Sequence, residues 1–252
     1  AFEAAMVSQF KDNPYERIFY KHDKTMAVAD YKRIYYIPEL ETRLEYCFNN
    51  IDSQDPEIIK QKKDNFELLR FEFSKEIASI GTDKFSRTNE FTLETFDASL
   101  FKESKEFLET LKRFYGNRHK KADAQKDQIM VKLTDTSEKK EWFLGFKERY
   151  HNEAIAELVK NQSEQHRIVE SGNHLFQKIY PIYMDPQPRH VMDFRTEFYV
   201  PQKHFMGYQI DTLYFNLFMI WVMSLILIIT LYFDLLRVII EFFEKLFTKA
   251  HY

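Results

Sequence analysis

The chain has one cysteine, five glycines and seven prolines in 252 residues. Standing alone, Cys47 excludes an internal disulfide and any zinc site built on cysteines. So few turn formers exclude a fold of many short strands and point to long helices. A basic excess is missing too: 36 Lys and Arg face 39 Asp and Glu, for a formal net charge of −3. That balance argues against nucleic acid as a partner, because its phosphates need a basic surface. There is no nucleophile elbow, no phosphate-binding glycine loop and no dinucleotide fingerprint. The carboxylates are interleaved with Lys and Arg at helical spacing, which a solvated helix face explains without catalysis. The sequence offers no enzyme active site and implies no cofactor within this chain.

Aromatic residues, by contrast, are plentiful. With 25 Phe and 15 Tyr, a charged helical body can still bury substantial area. One long apolar run also stands out, since no side chain between Asp211 and Asp234 is charged. At 1.5 Å per residue such a helix crosses the roughly 30 Å hydrocarbon core of a bilayer. A helix is the element that spans lipid alone, because lipid gives backbone amides no partners. The expected fold class is mostly α: an antiparallel helical bundle, one transmembrane helix at 212–233 and a short amphipathic tail at 234–252. In the tail, Asp234, Arg237, Glu241, Lys245 and Thr248 share one stripe, spaced for ion pairs, with Leu, Val, Ile and Phe opposite. Arg195 and Lys203 precede the span while Arg237, Lys245 and Lys249 follow it, a small basic excess that puts the C-terminus in the cytoplasm.

Residues 1–14 read as a short membrane-proximal helix broken at Pro14, and 15–180 as a helical soluble domain. Within that domain Pro38 is expected to open a helix through Asn50, and Pro56 one that Gly81 stops. A second long pattern starts near Phe91 and is interrupted at Gly116 by the solvated run Asn117–Asp127, as exposed helix or loop. A third starts at Asp135, where Glu138 suggests a capping box, and runs towards Ile168. Residues 181–211 hold Pro181, Pro186, Pro188 and Pro201 and should be extended. There Tyr199, Phe205 and Tyr208, with Tyr214 beyond, suit the membrane interface.

His166, Glu170 and His174 are spaced four apart, which on a helix would set two imidazoles and a carboxylate on one face, as zinc accepts. Gly172 weakens that helix, no cysteine or second histidine pair supports the site, and surface histidines are the plainer reading. The basic run Arg118–Lys121 is followed by Asp123 and Asp127, which cancel much of its field. In the span, Asn216, Ser224 and Thr230 share an arc of about 120°, the side expected to face other helices or a pathway.

The opening AFEAAMVSQFKDNPY resembles the short re-entrant helix that follows the fifth transmembrane helix in type 2 permeases of ATP-binding cassette transporters, the G-subfamily kind. Ala1, Phe2, Glu3, Ala4 and Phe10 match that motif, with Ala5 and Ser8-Gln9 as departures. The family's order of motif, extracytoplasmic loop, last span and short tail is also the order here, although this chain's loop would be a whole helical domain. Paired cysteines of eukaryotic relatives are absent, which suggests a bacterial exporter in the inner membrane. The resemblance implies that the nucleotide-binding domain and five spans precede residue 1. It implies as partners the remaining permease helices, that domain and a second permease half in a homodimer or heterodimer. The start AFEAAM, helical in pattern and without an initiator Met at position 1, agrees with a piece of a longer polypeptide. The extracytoplasmic domain would shape the exit or dock a partner. The rival expectation is a tail-anchored adaptor or tether facing the cytoplasm, and a third is a membrane metalloenzyme using His166, Glu170 and His174.

Overall fold

The computed structural model describes every residue except 82, 187, 189, 194–196, 235, 236 and 238–252. The expected tail stripe beyond Arg237, that is Glu241, Lys245 and Thr248, lies outside the described residues, as do Lys249 and Arg195. The protein is mostly helical. It divides into two compact units, Gln9–Met184 and Ala1–Ser8 with Asp185–Tyr252.

Helix α1 (Phe2–Lys11) is contributed to by both units. In the larger unit, Asn13 starts α2 (Pro14–Tyr31) by accepting the Tyr15 N–H at 2.8 Å. Pro14 takes the first helical position, where a missing N–H costs nothing. Pro38 falls in the first turn of a helix, as expected, but no break or connector precedes that helix. Instead the chain widens into a π segment at Lys32–Tyr36, closed by the Ile37 N–H on the Lys32 carbonyl, and continues as α3 (Ile37–Asn49). Pro38 accounts for the widening: it lacks an N–H and its ring crowds the carbonyl four residues back, and the looser turn relieves both.

Asp55 caps α4 (Pro56–Ile80) through the Glu57 N–H, and Gly81 ends it at φ +117°, in line with the sequence expectation. The second long pattern begins later than Phe91. Phe91 and Phe96 instead fold into the core from a turn, and Asp97 caps α5 (Ala98–Thr134) by accepting the Leu100 N–H at 2.7 Å. Gly116 does not interrupt it. The mixed-charge run stays helical because Asp30 reaches His119 at 3.3 Å and Asp23 reaches Lys126 at 2.6 Å.

The next helix is capped one residue later than expected. Thr136 accepts the Lys139 N–H and opens α6 (Ser137–Tyr150), while Asp135 pairs with the Lys139 ammonium at 2.8 Å. A break at His151 and Asn152 precedes α7 (Glu153–Lys160), which stops at Asn161 with φ +47°. Beyond α7 the chain forms a hairpin of β1 (Ile168–Ser171) and β2 (His174–Gln177). Its two-residue turn has Gly172 first at φ +61°, the residue that a type II′ turn requires there.

Pairings along the rods fix their direction. Asp23–Lys126, Asp30–His119, Glu41–Lys112 and Glu45–Lys105 run one way along α2–α3 and the other way along α5. Tyr46–Gln61, Arg43–Asn65, Tyr36–Glu72 and Lys32–Glu76 do the same against α4. Both neighbours are therefore antiparallel to the first rod. Between them Leu40, Leu44, Leu69, Phe73, Leu108 and Leu111 are fully buried.

In the smaller unit the expected extended connector folds back on itself. Strands β3 (Gln202–Phe205) and β4 (Tyr208–Asp211) pair antiparallel around Met206 and Gly207, both at positive φ, a type I′ turn. Asp211 then caps α8 (Thr212–Tyr232) by accepting the Leu213 N–H at 3.1 Å. With 21 residues and a mean hydropathy of 2.2, α8 is, among the described residues, the one helix long and apolar enough to cross a membrane.

Candidate functional site at Glu3

In the smaller unit the carboxylate of Glu3 collects donors from three separate elements. Its Oε1 accepts the Lys203 ammonium at 2.6 Å and the Tyr199 backbone N–H at 2.9 Å, and its Oε2 accepts the Asn216 amide at 3.3 Å. The Lys203 side chain is only 4 % exposed and also donates to the Glu197 carbonyl oxygen. A charge so enclosed persists only when paired and hydrogen-bonded, and here both conditions hold. Tyr199 reaches its place with φ +62°, a strained backbone for a bulky residue that surrounding contacts must hold. Below the node, Thr212 is fully buried and donates its hydroxyl to the Val200 carbonyl oxygen at 2.5 Å.

The motif residues thus divide in role. Glu3 anchors, Ala4 is buried, and Phe2 is largely exposed. Ala1 contributes its carbonyl to the Ala5 N–H at the helix start. Phe10 belongs to the larger unit, where its ring meets Tyr183 at 6.2 Å and the Lys160 ammonium at 5.3 Å. The arc in the span also divides. Asn216 reaches Glu3, Thr230 satisfies its hydroxyl on the Ile226 carbonyl of its own helix at 2.8 Å, and Ser224 is exposed.

His166, Glu170 and His174 do not share a helix face. His166 precedes the hairpin, while Glu170 and His174 sit on its two strands. Glu170 pairs with Arg43 at 2.7 Å, and the His174 ring packs edge-on against Phe71 with centroids 3.7 Å apart. The four-residue spacing has no helical meaning here, because Gly172 supplies a hairpin turn. Among the described residues, no group of three or more His, Cys, Asp or Glu side chains is placed to hold a metal ion.

A second polar cluster lies inside the helical unit, where the sequence pattern shows only core. Glu76 is 2 % exposed and accepts the Lys32 ammonium at 2.5 Å and the Tyr115 hydroxyl at 2.6 Å. One turn away Glu72 accepts the Tyr36 hydroxyl at 2.7 Å and the Leu175 backbone N–H at 3.0 Å. The Lys32 ammonium also lies over the Tyr36 ring at 3.3 Å. Burial lowers the Lys32 pKa, while burial beside Glu76 and Glu72 raises that of Tyr36 and burial beside Glu76 raises that of Tyr115. Every carboxylate here is engaged with a donor, so the cluster ties α4, the π segment, α5 and β2 together.

On the outside of the same unit, an open depression of about 360 Å³ is lined by Arg33, Lys112, Arg113 and Lys120 beside Gly116. Lys112 is already shared between Glu41 and Glu109, and Arg33 lies 3.9 Å from Asp30. Of the basic run itself, His119 lies 3.3 Å from Asp30 and the Arg118 guanidinium stands over the Phe114 ring at 5.7 Å.

No protein-family profile matches the chain, and no curated protein or solved structure is significantly similar to it.

Proposed function

We propose that the chain is the C-terminal part of an ATP-binding cassette exporter permease of the G-subfamily kind. In this reading α1 is the re-entrant helix, α8 is the last transmembrane helix, and Gln9–Met184 is an extracytoplasmic domain inserted between them. The observation that carries it is the bond from Asn216 of α8 to Glu3 of the motif, inside one compact unit, with the whole helical unit intervening in sequence. Such a discontinuous unit is what an insertion between two neighbouring membrane elements leaves behind. Lys203 neutralises Glu3 beside the first turn of α8, so the polar node can sit at the membrane boundary without an unpaired charge.

The inserted domain shapes the outer exit or docks a partner there. Its rods are cross-tied by the Glu72 and Glu76 cluster, which makes it a stiff body suited to either task. ATP hydrolysis belongs to a nucleotide-binding domain elsewhere in the parent protein, and two permease halves associate as a homodimer or heterodimer. Isolation of the natural protein from its own membrane tests this. The polypeptide containing this chain should hydrolyse ATP, with inhibition by orthovanadate. A natural polypeptide with no more sequence than this chain, and with no ATPase accompanying it, would overturn the reading in favour of a tail-anchored tether.

A further inference from the structure

The β3–β4 hairpin does not project away from α8 but lies back along it. Phe205, the last residue before the turn, packs against Phe215 at 5.9 Å and Phe218 at 6.4 Å, ring centroid to centroid. Phe218 lies six positions beyond Thr212, so the hairpin turn reaches about 9 Å along the helix axis at 1.5 Å per residue. The hairpin is held in that position on both faces. Lys203 is pinned by Glu3 on one, and on the other His204 is buried with its Nδ1 3.0 Å from the Asp193 carbonyl oxygen.

The turn presents apolar side chains. Met206 is 51 % exposed and Tyr208 74 %, and Val191 and Met192 are similarly uncovered. Val191 adjoins the turn, because a Cβ on Gly207 would lie 3.7 Å from its Cγ1. Tyr214 and Phe218 of α8 are exposed as well, and Phe218 is one of the rings that Phe205 of the hairpin packs against. A soluble surface seldom gathers such residues around a strained turn without a use for them.

We infer that the Met206–Gly207 turn, with Val191, Met192 and Tyr208, is a membrane-dipping foot that seats in the lipid headgroup and upper acyl region beside the last span. The inference rests on α8 crossing the bilayer, as in the proposed function, and adds a second contact with lipid. Depth and chemistry agree. With the first turn of α8 (212–215) in the interfacial layer, about 5–8 Å thick, residues 216–232 remain for the hydrocarbon, and a reach of about 9 Å sets the tip of the turn in the upper acyl region. The outward amides of the strands stay among headgroups and water, which can pair them, whereas deeper burial would leave them unsatisfied. Tyr208 offers a ring with a polar tip, the side chain that favours this layer.

The full-length protein, with Cys47 and every other native cysteine replaced by Ala, carries a single environment-sensitive fluorophore at Met206→Cys, Leu227→Cys or Lys120→Cys. Each variant is reconstituted into phosphatidylcholine vesicles, with or without lipid spin-labelled near the headgroup or deep in the chain. The Met206 label should lose fluorescence to the shallow spin label and resist aqueous iodide, while the Leu227 label responds to the deep one and the Lys120 label to iodide alone. A Met206 label quenched by iodide, or protected from both lipid and iodide while Leu227 is quenched by lipid, would overturn the foot, the latter by showing protein as its cover. A Leu227 label that deep spin labels do not reach would overturn the span itself and the foot with it.

Discussion

Glu3 and Asn216 are 3.3 Å apart across 213 positions of sequence, and Lys203 shares the same carboxylate. The two partners are not equivalent. Lys203 is the countercharge and is almost wholly enclosed, whereas the Asn216 amide adds a longer, neutral bond. Their replacement should therefore cost different amounts.

Lys203→Met leaves Glu3 enclosed without its cation, which should destabilise the smaller unit by about 3 kcal/mol. Asn216→Leu should cost only about 1 kcal/mol, the scale of polar contacts between membrane helices. Thermal unfolding in detergent, followed by accessibility of a label near Tyr199, reads the order. Equal midpoints for both variants would mean that the node is not an ion pair in solution.

The acid pair of the helical unit makes a parallel prediction. Glu76→Leu strands the buried Lys32 ammonium and the Tyr115 hydroxyl together, and should destabilise by about 3 kcal/mol. Tyr115→Phe removes one hydrogen bond and should cost about 1 kcal/mol. Denaturant midpoints of the detergent-solubilised chain separate the two. A Glu76→Leu variant as stable as wild type would mean that α4 and α5 are held by apolar packing alone.

Much of the helical unit is legible in the residues, and the departures have physical causes. Asp55, Pro56 and Gly81 delimit α4 by local chemistry that tertiary structure does not override. Pro38 carries an equally local signal, but a π segment absorbs it and the helix runs on without a break. Asp135 and Thr136 are both competent caps, and Asp135 is drawn into an ion pair with Lys139. The hairpins leave little trace because four-residue strands are too short to show alternation, so that Gly172 and Gly207 are the available signs. At the site, Glu3 stands out in a motif and Asn216 as a polar residue in a lipid-length run. In the sequence Lys203 is only a charge near the membrane. Nothing local in sequence says that these three meet, since the hairpin that carries Lys203 back along α8 is itself a tertiary feature.

Alkaline pH should unfold the helical unit through its tyrosines. Burial raises the pKa of Tyr36, Tyr115 and Tyr183 above the ordinary value of 10.0, so the folded state keeps protons that the unfolded chain releases. Their stabilisation is complete below pH 10 and is lost as pH rises beyond it. Lys32 acts in the opposite sense, since its lowered pKa makes the unfolded chain the better proton binder below 10.5, but it is one group against three. The melting temperature should fall between about pH 10 and 11, and Tyr115→Phe should flatten that fall. A midpoint that rises or stays level over this range would contradict the burial of these hydroxyls.

The side of the membrane occupied by the helical unit is the most direct test of the proposed exporter architecture. Lys120 is exposed on α5, whereas the native Cys47 is fully buried, with its thiol pushed up to about 12, so it gives no background. A membrane-impermeant maleimide applied to intact cells that carry the full-length protein with Lys120→Cys should label it at once, with no increase on permeabilisation. Labelling that appears only after permeabilisation would place the helical unit in the cytoplasm and contradict the exporter reading.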